Sequence, residues 1–296
     1  MTSALRIVIV GMAVLWLSGW LSRVESPVAA QEKATARTAD GAAQSPPANE
    51  PSSAEKEQLR TARQHVQRLK MRLGESGDAV ELLEDPLLAF GDAARGNSHG
   101  TLWGFGSNGR PDALMELWQL SDSPGVWYQS FIRVGDRPLL LEPPDGRRWQ
   151  PPDGKIARTA LAGAEPPVAN RPGRLRQLRS LARRFTAHES GDADHLRTEL
   201  RTLAQPVRRY DDADGGIQDG AIFIFAHGTN PEAILLVEAL GTTVDESRWH
   251  YSLFPTTSAD LHVEVDGKDI WMRSGAPGIV GNPTDDYWLF SLPAGS

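Results

Sequence analysis

Two hydrophobic spacings alternate along this chain. From residue 54 onward Leu59, Ala62, Val66, Leu69 and Leu73 recur at three- and four-residue intervals, with Arg, Gln and Lys between them. That spacing predicts an amphipathic helix ending at Gly74. Past residue 100 the period shortens to two, and strands are expected over 101–105, 113–120 and 127–134. The turn at 107–111 carries an Asn-Gly pair, and the stretches 138–142 and 147–150 flank a Pro-Pro-Asp-Gly bend. A second helical stripe follows at Leu175, Leu178, Leu181, Ala182 and Phe185. Apolar runs then return at 221–226, 233–240, 249–252, 261–265 and 268–272, and the tail at 287–292 is expected to add an edge strand.

The second half rewrites the first. At a constant offset of 120, Pro86, Asp92, Ala93, Gly96, Gly100, Pro111 and Ala113 meet Pro206, Asp212, Ala213, Gly216, Gly220, Pro231 and Ala233. Phe90 meets Tyr210, Leu102 meets Ile222, and Trp103 meets Phe223. Glu-Ser-Gly-Asp-Ala stands at 75–79 and again at 189–193. A period this long points to an internal duplication. A helix stripe and a sheet face each need cover, so the expected fold class is α+β. The expected unit is a helix followed by a four-stranded antiparallel meander, made twice, with the copies related by a pseudo-twofold axis. The domain plan is a signal peptide over 1–30, a disordered tether over 31–53, repeat one over 54–154, a linker over 155–173, and repeat two over 174–296.

The leader rests on Arg6, the apolar run 7–21 and small residues at Val28 and Ala30 ahead of Gln31. The run is short for a membrane span, so membrane contact is expected only through this segment if it stays uncleaved. The tether is rich in Ala, Ser, Thr and Pro, with no aromatic residue. The expected location is therefore secreted or periplasmic. The chain has no cysteine, which excludes disulfides, thiolate nucleophiles, zinc–thiolate sites and a lipidated cysteine. A net charge of −7 argues against a nucleic-acid partner. The leader, the tether, Asp-Pro-Leu at 85–87, Gly-Thr-Leu-Trp at 100–103, Arg-Phe-Thr-Ala-His at 184–188 and Asp-Gly-Ala-Ile-Phe at 219–223 together resemble a secreted protein type of planctomycete-like bacteria with no assigned activity. The resemblance implies export and the repeat, and carries no mechanism. One departure is that His99 stands where the second half has Asp219.

Candidate chemistry is sparse. His99 and Asp219 occupy equivalent positions and, if they meet, form an acid–base pair for an extracellular hydrolase. The loop with Asp211, Asp212 and Asp214 is dense in carboxylates, the ligands calcium favours, but lacks EF-hand spacing. A turn that caps its own amides is the plainer reading. His188, Asp192, Asp194 and His195 are a further metal candidate that meets no known spacing. Trp103, Phe105, Phe223 and Phe225 share strand faces, which makes them core or, if exposed, a sugar platform. The arginines of the second helix stripe read as a solvated face. No nucleophile elbow and no cofactor motif is present, so no cofactor and no resident metal are expected. The leading expectation is an exported, non-enzymatic binding or envelope-associated structural protein with a protein or glycan partner. The hydrolase and a carbohydrate-binding module are the alternatives.

Overall fold

Strands that are apolar on both faces have to be covered on both faces, and the fold is organised by that demand. The computed structural model describes residues 52–92, 97–106, 109–123, 125–143, 145–190, 197–275 and 281–293. In chain order the elements are α1 (Ser53–Val66), β1 (Lys70–Leu73), β2 (Leu88–Asp92), β3 (Asn97–Phe105), β4 (Ala113–Leu120), β5 (Val126–Arg133), β6 (Leu139–Glu142) and β7 (Thr159–Ala160). They continue with α2 (Arg171–Ala182), β8 (Phe185–Ser190), β9 (Arg197–Thr202), β10 (Arg208–Asp212), β11 (Ile217–His227), β12 (Asn230–Leu240), β13 (Arg248–Pro255), β14 (Asp260–Val265), β15 (Lys268–Arg273) and β16 (Tyr287–Pro293).

Two antiparallel sheets share one apolar layer. The five-stranded sheet runs β16-β5-β4-β3-β2, and the nine-stranded sheet runs β15-β14-β8-β9-β11-β12-β13-β7, with β10 also paired to β11. Leu102, Leu114 and Ile132 of the first meet Ile222, Ile224, Ile234 and Leu236 of the second. By strand alternation the intervening residues point outward. Trp103, Phe105, Met115 and Phe131 are covered by Ala62 and Val66 of α1 and by the small β1–β6 sheet. Phe223, Phe225, Leu235 and Val237 lie under Leu178, Leu181 and Ala182 of α2, together with Phe185, Ala187, Leu261 and Val263 from β8 and β14. The larger sheet thus curls into a half-barrel with α2 in its concavity.

The α+β class with a duplicated helix-plus-meander unit is overturned. The chain is mostly β, 48% strand and 11% helix, with two helices among the described residues. The helical stripes overrun their helices. α1 ends at Val66, and residues 70–73 leave it to pair with β6, whose leucines need cover. α2 ends at Ala182, and Phe185 opens a strand opposite Val265. The expected 138–142 and 147–150 hairpin does not form, since β6 pairs with β1 and only the bridge Leu141↔Trp149 remains. The β14–β15 hairpin does form, turning through Asp266 at φ 51° and Gly267 at φ 73°. The segment expected as a linker supplies β7, an edge strand on β13. β16 is the edge strand expected of the tail, paired to β5.

The central hairpins nevertheless keep the same pairings 120 residues apart. Phe90↔Gly100 and Phe105↔Ala113 recur as Tyr210↔Gly220 and Phe225↔Ala233. Their turns also pack reciprocally. Thr229 Oγ1 accepts from Gly91 N–H at 3.0 Å and donates to Gly91 O at 2.7 Å. Gly109 lies so close to Asp211 that a Cβ would stand 2.7 Å from its carbonyl oxygen.

The two local starts are well specified. Ser52 Oγ accepts from Glu55 N–H while Glu55 Oε2 accepts from Ser52 N–H, a reciprocal cap on α1. Asn170 Oδ1 caps α2 by accepting from Gly173 N–H at 2.7 Å. His65 of α1 is buried against Trp127, with ring centroids 5.6 Å apart, and its Nε2 lies 3.3 Å from Gln129 Oε1. Burial chiefly, with the nearby charge of Arg68, holds its imidazole below the ordinary range, although the Gln129 contact works the other way.

Two outcomes are expected. At Gly220 an added Cβ would sit 2.6 Å from the Tyr210 ring, which donates from its hydroxyl to buried Glu238 at 2.7 Å. Gly220→Ala should therefore cost about 2–3 kcal/mol in urea unfolding, from overpacking plus a weakened buried hydrogen bond. His65 stays neutral when folded but takes a proton near the ordinary imidazole value of about 6.5 when unfolded. Its contribution is present above that pH and is lost as pH falls below it. Unfolding free energy measured from pH 7.5 to 5 should decline, and His65→Gln should flatten the decline.

Candidate functional site

Acidic residues interrupt the apolar strands of both sheets, and burial obliges each to find a partner. Glu238 on β12 is 1% exposed. It accepts from Tyr210, lies 2.9 Å from Arg110 Nε and takes a longer contact of 3.3 Å from Arg158 Nε. Arg158 also donates to Asp136 at 2.6 Å, and Asp136 accepts from Ile156 N–H at 2.8 Å. Burial works to raise the Asp136 carboxyl, but the Arg158 hydrogen bond, the Ile156 amide and the charges of Arg158 and Arg110 together bring it below the usual carboxylate range. Desolvation, reinforced by Glu238, pushes the Tyr210 phenol well above its usual range. Arg110 precedes β4, Asp136 follows β5 and Glu238 sits on the other sheet, so this network ties the two sheets together at one end.

Asp219 is held in a second clamp. It is 1% exposed and accepts from Arg174 Nε at 2.7 Å and from both Nε and Nη2 of Arg209, at 2.8 and 2.5 Å. Arg174 is thus a buried tether between α2 and β11 rather than part of a solvated face. His99, in contrast, is exposed. It lines a groove of about 480 Å³ against α1 with Glu55, Gln58 and Thr229. His99 alternates with Thr101 and Trp103 on the α1 side, and Asp219 alternates with Ala221 and Phe223 on the α2 side. The two residues therefore point away from each other across a pair of sheets stacked about 10 Å apart. The structure does not bring them together.

The Asp-rich loop is also pulled toward arginines. Asp211 is exposed and pairs with Arg171 at 3.3 Å, and Asp212 Oδ1 accepts from Gly215 N–H at 3.0 Å as a turn cap. Asp212 and Asp214 line a polar cavity of about 390 Å³ facing Arg110, Arg137 and Arg158. His188 stacks on His262, with ring centroids 4.6 Å apart and planes 9° from parallel. Burial first, then Arg197 and His262, keeps the His188 imidazole below its usual range. Asp192, Asp194 and His195 lie outside the described residues. Trp103, Phe105, Phe223 and Phe225 are all at most 1% exposed, so the strand faces offered as a sugar platform are core.

Two arrangements lie beyond the sequence reading. An open cleft of about 550 Å³ lies beside the sheet edges, lined by residues that include Arg133, Lys155, Trp271, Arg273 and Tyr287. Separately, Glu189 of β8, His227 at the end of β11 and Glu232 of β12 each direct a ligand atom to one place, with all three atoms within 4.8 Å of one another. Glu232 Oε1 accepts from Asn230 Nδ2 at 2.8 Å. Nearby Glu116 on β4 accepts from Ser130 Oγ at 2.7 Å, and burial followed by the charge of Glu232 raises its carboxyl well above the usual range despite that hydrogen bond. The sequence signal for this cluster is slight. Glu232 is an acidic residue directly before an apolar run, and Glu189 is 38 positions from His227.

Fold and sites together define a mostly β protein of two large stacked sheets and one small one, with buried ion-pair locks and an open cleft. Comparisons with protein-family models, curated proteins and solved structures each find no match.

The Asp219 clamp makes a quantitative expectation. Removing Arg174 as Arg174→Met leaves Arg209 in place and should cost about 2 kcal/mol in urea unfolding. Asp219→Ala leaves two guanidinium groups without their carboxylate and should cost about 3–4 kcal/mol. The double variant should recover part of the loss, because only Arg209, which is less buried and also donates to Arg171 O, is left without the carboxylate.

Proposed function

We propose that this chain is an exported, non-enzymatic binding protein whose ligand site is the cleft beside β15. The observation that carries the reading is the composition of that cleft. Its volume lies within the range of small-ligand sites. Trp271 is half-buried and Met272 is 67% exposed, so the rim offers apolar surface. Arg273 adds a guanidinium that donates to Thr257 O at 2.7 Å and lies 5.2 Å from the centre of the Tyr287 ring. Lys155 is exposed at the same cleft, while Arg133 is taken up by Asp286 at 2.6 Å. A carboxylate carried on a ring fits this pairing of cation and indole, and an acidic sugar is the glycan form of that chemistry. Export is supported by the leader-like residues 1–30 and the tether composition. The matched hairpin registers support the reading that the strand units at the centre of the two sheets are copies of one another.

The hydrolase alternative finds no support in the placement of His99 and Asp219. The sugar-binding alternative moves from the buried strand faces to Trp271, where it merges with the proposal.

Titration calorimetry of the protein against uronic acids and their neutral parent sugars should show binding of the acidic members. Trp271→Ala and Arg273→Met should each weaken it at least tenfold. Binding of neutral and acidic sugars alike, untouched by either variant, would remove this cleft as the site. Fractionation of cells expressing the chain should find it outside the cytoplasm, beginning at Gln31.

A further inference from the structure

We propose that Glu189, His227 and Glu232 form a binding site for a single zinc-class divalent cation that ties the curled arm of the nine-stranded sheet to its central hairpin. The three ligands come from three strands, and β8 is distant in sequence from the other two. β8 supplies Glu189, the last residue of β11 supplies His227, and β12 supplies Glu232 directly after the β11–β12 turn. The β11–β12 register shifts between Phe225↔Ala233 and Ala226↔Pro231, which leaves Glu232 as the extra residue of a bulge. A bulge turns a side chain out of its alternation, and here it brings the carboxylate to His227 and Glu189.

The spacing suits a metal ion. Three atoms that all lie within 4.8 Å of one another can surround one ion with only small side-chain adjustments. His227 Nδ1 stands 3.6 Å from Glu189 Oε1. That is longer than a hydrogen bond and close to the separation of about 3.4 Å between two ligands in a tetrahedral site with metal bonds near 2.1 Å. Asn230 Nδ2 donates to the Glu232 carboxylate at 2.8 Å and helps to orient it, as hydrogen bonds to metal-ligating carboxylates commonly do. Burial adds to the case, since Glu189 is 2% and Glu232 1% exposed. A doubly charged cation offsets both carboxylates in a setting where water does so poorly. His227 is 35% exposed at its side chain, which leaves an approach from solvent and room for a fourth ligand.

The donor set selects the ion. One imidazole with two carboxylates is poorly suited to calcium and magnesium, which take oxygen ligands, and no thiolate is available for softer ions. Three protein ligands of nitrogen and oxygen type with one open position is an arrangement zinc adopts. This site is separate from the ligand cleft and does not depend on the proposed function. The loop with Asp211, Asp212 and Asp214 contributes nothing to it.

The test uses the full chain, stripped with chelator and titrated with Zn²⁺, with Mn²⁺ and Ca²⁺ as comparisons. One Zn²⁺ per chain with a Kd in the micromolar range or tighter is expected, together with a higher unfolding temperature. His227→Ala and Glu189→Gln should each weaken binding at least 100-fold, and Asn230→Ala about tenfold. His262→Ala removes the stack on His188 and should leave the affinity unchanged. Circular dichroism checks that each variant is folded. X-ray absorption at the zinc edge of the unaltered protein gives an answer even where a variant fails to fold, and should show nitrogen and oxygen ligands with one imidazole. Lack of saturation below millimolar Zn²⁺ would overturn the site. So would binding that survives His227→Ala but is lost in His262→Ala, or an absorption spectrum showing two or more imidazoles.

Discussion

Two-sided burial of the central strands is the constraint on which the rest of this structure depends. β3, β4, β11 and β12 carry apolar side chains on both faces, so neither sheet can leave a face to water. One face of each is satisfied by the other sheet. The outer faces then need separate covers, and the chain makes them differently. The smaller sheet is covered by α1 and the β1–β6 pair. The larger sheet bends its own arm of β8, β9, β14 and β15 around α2. A helix of twelve residues is too narrow to cover eleven-residue strands unaided, and curling the sheet supplies the remaining apolar surface.

Charged residues inside such a structure are tolerable only as paired groups, and the pairing determines what they do. Asp219 joins α2 to the sheet it covers through Arg174, and Glu238 gathers Arg110, Arg158 and Tyr210 from segments on both sheets. Buried pairs of this kind contribute little net stability compared with apolar replacements, but breaking one is costly. They therefore favour one arrangement of helix and sheets over alternatives with the same apolar content. Gly100 and Gly220 belong to the same logic. A missing side chain on one strand lets Phe90 or Tyr210 lie flat across its neighbour, and in the second case the ring delivers its hydroxyl to Glu238.

The central hairpins are legible because their signals are local. The apolar runs at 101–105, 113–120, 221–226 and 233–240 read as strands and form as such, as does the turn through the Asp-Gly at 266–267. The cover is not legible in the same way. Phe185 fits a helical stripe after Leu178, Leu181 and Ala182 as well as it fits a strand, and only its pairing with Val265 decides. Leu69 and Leu73 continue the α1 stripe equally well, until β6 offers residues 70–73 a partner. Both errors enlarge the helices at the expense of strands and so tilt the class toward α+β. The pairing of His99 with Asp219 fails for a different reason. Equivalence along the chain places them at matching strand positions, and matching positions in two sheets packed face to face point in opposite directions.

Bulges explain why the polar cluster escapes a reading based on alternation. A period of two assigns each strand residue to a face, and a single extra residue reverses the assignment for the remainder of the strand. In β11 and β12 the register shifts between Ile217 and Asp219 and again between Phe225 and Ala226. The first shift stands beside the carboxylate that Arg174 and Arg209 clamp, and the second stands beside His227 and Glu232. Chemistry-bearing residues in this chain therefore gather where the ladder breaks, at the ends of an otherwise apolar hairpin. The middle of that hairpin has no room for them, because both of its faces are already core.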